Sequence, residues 1–205
     1  MKERPILFSA PMVRAILAGT KTQTRRVVKP VGDDDSFVLQ DYGDGWWPYR
    51  SDDGESPMKG DNEIPHACPY GQPGDRLWVR ETWRVCGGRE YEYQQDRSQV
   101  MYRATHQEDG FPLAWESYVW RPSIFMPRWA SRITLKVTGV RVERLQDISI
   151  ADAMAEGVVE TNANLRGLEP CMEWRYAYED LWRQINGPDS WDANPWVWVI
   201  EFRKT

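Results

Sequence analysis

The stretch Gly19-Thr20-Lys21-Thr22-Gln23-Thr24-Arg25-Arg26 forces a helix to end and a strand to begin within a few residues. Upstream, Pro11 suits a first helical turn, where its missing N–H has no partner to lose. Met12, Val13, Ile16 and Leu17 then recur at helical spacing. Gly19 is placed to end this helix with a positive φ. Downstream, Thr24 to Val28 reads as a strand, with Thr24, Arg26 and Val28 on one side. Lys21 and Thr24 are an odd number of residues apart, so a continuous strand would point them to opposite faces. A turn over 20–23 is therefore expected to bring both into one pocket. The bland alternative is a helix cap followed by cations that are favourable near a helix C-terminus.

Composition narrows the class. The 205 residues suit one domain with insertions or two small ones, and 41% hydrophobic residues suffice for a core. The formal charge of −5 argues against a polyanion binder held by bulk charge, while leaving room for a local basic groove. Three widely spaced cysteines suggest no disulfide framework. No signal peptide or membrane-length apolar run is evident, so a cytoplasmic protein with no membrane partner is expected. His66 and Cys68 lie close together, but the spacing of other ligand types does not make a zinc site, and neither metal nor cofactor is expected. No phosphate loop, dinucleotide glycine pattern or Gly-x-Ser-x-Gly elbow is present.

Along the chain, Ile6-Leu7-Phe8 reads as a short buried strand. Residues 31–73 form a loop-rich acidic insertion, with a hairpin near Gly43-Asp44-Gly45. Trp46 and Trp47 stand out there and are expected to fold back over the barrel or a ligand. Gly74-Asp75 turns into a strand through Trp83, with Leu77, Val79, Glu81 and Trp83 on one face and Trp78, Arg80 and Thr82 on the other. Arg80 and Glu81 are charges in an aromatic strand, which implies pairing. Further strands are expected at 90–95, 99–104 and 132–145, the last with a bulge near Gly139. Residues 121–144 hold Arg128, Arg132 and Lys136 beside Trp129, a mixture that suits nucleic acid.

Ser149-Ile150-Ala151-Asp152 has a helix-start pattern, and Gly157 fits the helix end. Glu156 falls in the last turn, where the helix dipole disfavours a carboxylate. Breaking a local rule marks it as a functional candidate, and a salt bridge to a nearby cation is the bland alternative. On this view Glu156→Gln lowers activity and raises stability slightly. Trp174, Tyr178, Leu181, Trp182 and Ile185 make a helical stripe read as core, ending at Asn186-Gly187-Pro188. Residues 196–203 close the chain as a strand with both faces partly apolar.

The pattern Gly19-x-Lys21-x-x-x-x-Arg26, between helix and strand, resembles the signature of the ASCH domain, a relative of the PUA fold. The segment Pro-Tyr-Gly-Gln-Pro-Gly-Asp-Arg-Leu-Trp-Val-Arg-Glu and the segment Met-Pro-Arg-Trp-Ala-Ser-Arg-Ile resemble ASCH proteins carried by prophages. The resemblance implies one α+β domain over 1–205: a small mixed PUA-like β-barrel with two or three flanking helices. Smaller ASCH proteins include N4-acetylcytidine amidohydrolases, and the resemblance maps their Lys, Thr and Glu onto Lys21, Thr24 and Glu156. Lys21 would then be a base, Thr24 a nucleophile or water-positioning group, and Glu156 an orienting or proton-shuttling group. Arg26 would stabilise an oxyanion or hold Glu156. Trp78, Arg80, Glu81 and Trp83 complete the expected substrate-binding set, with a tryptophan stacking on the base. Other ASCH proteins are RNA-binding modules or ribonucleases. Two readings follow: an amidohydrolase acting on a modified nucleoside, and an RNA-binding module using Arg128, Arg132 and Lys136.

Overall fold

The computed structural model describes residues 1–29, 37–41, 45–51, 63–85, 100–106, 119–158 and 173–205. In chain order these form β1 (Glu3–Leu7), α1 (Ala10–Ala18), β2 (Gln23–Val27), β3 (Phe37–Asp41), β4 (Trp46–Ser51) and β5 (Glu63–Pro65). There follow β6 (Arg76–Arg80), β7 (Trp83–Val85), β8 (Val100–Tyr102), β9 (Thr134–Arg144), α2 (Ile150–Ala155), α3 (Glu173–Asn186) and β10 (Trp196–Lys204). The chain is α+β. The expected strand at 90–95 lies outside the described residues. No described helix is long and apolar enough to cross a membrane.

The main sheet has the order β1-β6-β9-β10-β2, with β1 and β6 parallel and the other pairs antiparallel. β10 is buried on both sides, as its apolar run requires. Trp198, Ile200 and Phe202 join Ile6, Phe8, Val13, Ile16, Leu77, Val79, Leu135 and Val137 in one core, on the side that carries α1. Val197 and Val199 face the other way and pack with Leu145, Ala153, Tyr178, Trp182 and Trp191 beneath α2 and α3. We call these the α1 face and the α3 face.

The expected small barrel is not seen among the described residues. β1 and β2 end the order as edges, and no described pairing joins them. The α1 face is instead covered by α1 and by a second sheet, β3-β4-β5. That sheet contains the expected hairpin, and its tryptophans do fold back: Trp47 meets Trp198 edge-on at 5.1 Å and Trp46 meets Trp196 at 5.2 Å. The strand expected to run from Arg76 to Trp83 breaks after Arg80. Trp83 starts β7, which pairs with β8 over a third cluster with Val100, Met126 and Ala130. The irregularity expected near Gly139 is present, since Glu201 pairs with Gly139 and Phe202 with Val137.

Candidate active site

The site forms where the start of β2 meets the end of α2. Ser149 Oγ accepts the Asp152 N–H at 3.1 Å and starts α2 as its sequence suggests. Glu156 caps the helix, and Gly157 leaves it at φ 74°. On the β2 side Gly19 is left-handed at φ 81°, and Lys21 forms an isolated antiparallel bridge with Glu156. No turn spans 20–23. Alternation breaks instead at Thr22, whose N–H goes to Ala155 O while its C=O accepts from Phe202, each at 2.8 Å. In a regular strand both groups of one residue point the same way. The backbone is therefore rotated at Thr22, which frees Lys21 from the alternation that governs Gln23 to Val27.

Glu156 is the centre of a buried charge network. Lys21 Nζ donates to Glu156 Oε2 at 2.6 Å and to the Glu156 carbonyl at 2.8 Å. The lysine side chain is 0% exposed. Burial pushes its pKa below the ordinary lysine value, against the pull of Glu156, with Arg26 and Arg25 adding to the lowering. Arg25 Nη1 reaches Glu156 Oε1 at 3.3 Å, and Arg25 also bonds Glu143 and lies 3.3 Å from Asp152 Oδ2. Burial works against the Arg25 charge, but Glu156, Tyr178 and Glu143 outweigh it, and its pKa is raised. Arg141 extends the network outward to Glu143, Asp152 and Glu201. The two cations on Glu156 compensate the unfavourable helix-end position seen in the sequence.

A cleft opens over the free edge of β2. Met12 of α1 forms one wall, Tyr178, Leu181, Trp182 and Ile185 of α3 form the other, and Thr24 and Glu156 lie between. Its volume is about 60 Å³. Thr24 is buried, and its Oγ1 has no hydrogen-bond partner. A buried hydroxyl without a partner is costly, so its retention needs an explanation. Tyr178 is buried too, and burial, followed by the nearby Glu156 charge, raises its pKa well above the ordinary value. It remains a neutral phenol beside the cleft.

The helix end leaves no room for a larger residue at 157. A Cβ there would stand 2.7 Å from Lys21 Cβ and 2.9 Å from Ala15 Cβ. Gly157→Ala is expected to cost roughly 2–4 kcal/mol, combining left-handed strain with overpacking. Denaturant titration reads this as a lower midpoint at unchanged slope. An unchanged midpoint would mean that the Lys21 strand and α2 are not held so closely.

Lys21 pairs with Glu156, and Thr24 and Glu156 both line the cleft, but Lys21, expected to enter one pocket with Thr24, is enclosed behind Glu156 and does not line it. Arg26 takes a different role: it donates to Leu7 O at 2.8 Å and stacks on Phe8, while Arg25 holds Glu156. Trp78, Arg80, Glu81 and Trp83 do not line the cleft. Trp78 and Arg80 lie on the α3 face of β6, Glu81 makes a two-bond pair with Arg132 at 2.8 and 2.9 Å, and Trp83 is buried against Trp129. Arg128 bonds Glu3 at 3.0 Å, and Lys136 lies opposite Arg76 and Arg203. Arg25, Asp152 and Tyr178 were not singled out from sequence. Period two does carry the Arg25 signal, because Gln23 and Arg25 share a face and both reach α2, Gln23 through Asp152 O at 2.9 Å. No cluster of metal-ligating side chains occurs among the described residues. No family model, curated protein or solved structure matches this chain.

Proposed function

We propose that this chain is a PUA-like ASCH protein that hydrolyses a small amide, an acyl group on a nucleoside such as N4-acetylcytidine. The observation that carries the reading is the buried, partnerless Thr24 hydroxyl in a cleft with Glu156. Thr24 Oγ attacks the amide carbonyl carbon, and its proton passes to Glu156, the member of the ion pair that lines the cleft. Lys21, 2.6 Å behind it and destabilised as an ammonium by burial, completes a relay that protonates the leaving nitrogen as the C–N bond breaks. Water then hydrolyses the threonyl ester, releasing the carboxylic acid and restoring Thr24.

Cavity size decides which part of the substrate enters. About 60 Å³ is far below the roughly 300–1,000 Å³ of sites that engulf a drug-sized ligand. The cleft accommodates the acyl group between Met12 and the α3 side chains and leaves the nucleoside outside. Incubation with N4-acetyl-, N4-butyryl- and N4-benzoylcytidine, followed by chromatography for cytidine, tests the reading. Acetyl is expected to be cleaved, with kcat/KM at least about tenfold lower for butyryl, since each misfitting methylene matters by roughly 1–3 kcal/mol. Cytidine from none of the three would sink the hydrolase reading.

A further inference from the structure

Two hydrogen-bond donors at the cleft have nothing to donate to. The first belongs to the main chain of β2. Val28 N–H bonds Trp196 O, so period two turns the main-chain groups of Arg25 away from β10 and over the free edge that the cleft covers. No described strand pairs with that edge of β2. Arg25 is 2% exposed, and its N–H has no hydrogen-bond partner among the described residues. Buried main-chain N–H groups without a partner are rare.

The second donor is the phenol of Tyr178, on the α3 wall of the cleft. Tyr178 is buried, and its hydroxyl makes no hydrogen bond to a described residue. Buried tyrosine hydroxyls usually find a partner. The ring is held in place from several sides. It packs on Trp182 and Trp191, with ring centroids 6.2 and 6.3 Å away, and the Arg25 guanidinium lies over it at 5.9 Å. Burial and the neighbouring Glu156 charge keep the phenol protonated, so its proton stays available for donation.

We propose that the Arg25 main-chain N–H and the Tyr178 hydroxyl form the oxyanion hole of the Thr24–Glu156 cleft, both donating to the oxygen of the acyl carbonyl. The inference rests on the hydrolase reading. Arg25 follows Thr24 in the chain, so its N–H is tied to the nucleophile through one peptide unit, and Tyr178 comes from the α3 wall. A cleft of about 60 Å³ has room for only a few atoms. A carbonyl whose carbon meets Thr24 Oγ1 there lays its oxygen against these donors. As the bond from Thr24 Oγ1 to the carbon forms, the C=O π pair moves onto the oxygen, and both hydrogen bonds strengthen on the new negative charge. The pair returns to re-form C=O as the C–N bond breaks and the nitrogen leaves with its proton. Donors fixed in advance by strand pairing and ring packing need no rearrangement at that moment, which is the condition for electrostatic catalysis.

The test is Tyr178→Phe in the full chain, with N4-acetylcytidine and its thioacetyl analogue as substrates and cytidine release as the readout. The variant keeps the ring and its packing and removes only a hydroxyl that bonds nothing, so the melting temperature is expected to stay unchanged. Turnover of the acetyl substrate is expected to fall by about 10²–10³ in kcat, as for loss of one oxyanion donor, with KM little altered. The Arg25 N–H remains, so activity drops without vanishing. Sulfur is a weak hydrogen-bond acceptor, and the wild-type preference for the oxygen substrate is therefore expected to shrink at least about tenfold in the variant. Tyr176→Phe, on the same helix but outside the cleft lining, should change neither rate nor preference. An active wild type with an equally active Tyr178→Phe would overturn the oxyanion hole and leave the hydrolase reading standing. So would a slower variant with an unchanged oxygen-to-sulfur preference, since the phenol would then act on packing and not on the carbonyl. A wild type that releases no cytidine overturns both.

Discussion

Glu156→Gln is expected to melt well below the wild type and to lose amide hydrolysis. Breaking a buried pair by removing one partner costs roughly 3–5 kcal/mol, because the remaining charge is stranded. Arg25 keeps Glu143 and Asp152, so the loss falls mainly on Lys21, whose side chain is fully enclosed. At about 2–4 °C per kcal/mol for a chain of this size, the midpoint falls by roughly 6–20 °C. This reverses the slight gain expected from helix-dipole arguments, since those take no account of two buried cations. Activity should fall by about 10²–10⁴, as for removal of a general acid–base group. The double variant Lys21→Met, Glu156→Gln separates the two effects. Removing both charges is expected to restore most of the melting temperature and none of the turnover. Turnover per folded molecule that returns with stability would make Glu156 a structural residue only.

Thr24→Val should produce the opposite combination, a protein at least as stable as the wild type and inactive. Val keeps the β-branched shape that a strand favours and discards a hydroxyl with no partner. Leaving such a buried group unsatisfied costs about 1–3 kcal/mol, so its removal is neutral or stabilising. If Oγ1 is the nucleophile, no acyl intermediate can form, and the rate should drop by three or more powers of ten, about 4 kcal/mol in barrier. Thr24→Ser retains the hydroxyl and should retain part of the rate. A Val variant that still releases cytidine at the wild-type rate would remove Thr24 from the mechanism.

The local elements were readable because they obey local rules. Pro11 and Gly19 bracket α1, Ser149 and Gly157 bracket α2, and the aromatic stripe of α3 ends at Gly187. The pairing of Lys21 with Glu156 was also anticipated, but its cause was not, and Lys21 is shut behind Glu156 where a shared pocket with Thr24 was expected. A turn is a property of neighbouring residues, whereas the rotation at Thr22 comes from hydrogen bonds to Ala155 and Phe202, both remote in sequence. Arg25 was passed over for Arg26 because one residue of register decides which face each side chain takes. Pairing with β10 sends Arg25 to the α3 face and Arg26 to the α1 face. That Lys136 lies opposite Arg76 and Arg203 is invisible along the chain for the same reason, since the three meet only through strand pairing.

The free edge of β2 has a bearing on solubility as well. Thr24 and Arg26 share the pairing side with Val28, whose N–H bonds Trp196 O, so the main-chain groups of Arg25 and Val27 point away from β10. Such an edge is a template on which another chain can add a strand. Among the described residues only the Lys21–Glu156 bridge occupies it, at one end. The rest is hooded by Met12 and by the α3 side chains that wall the cleft. Loosening α3 while the sheet stays folded would thus open a route to self-association, and the cleft that holds Thr24 and Glu156 is also the place where aggregation would begin.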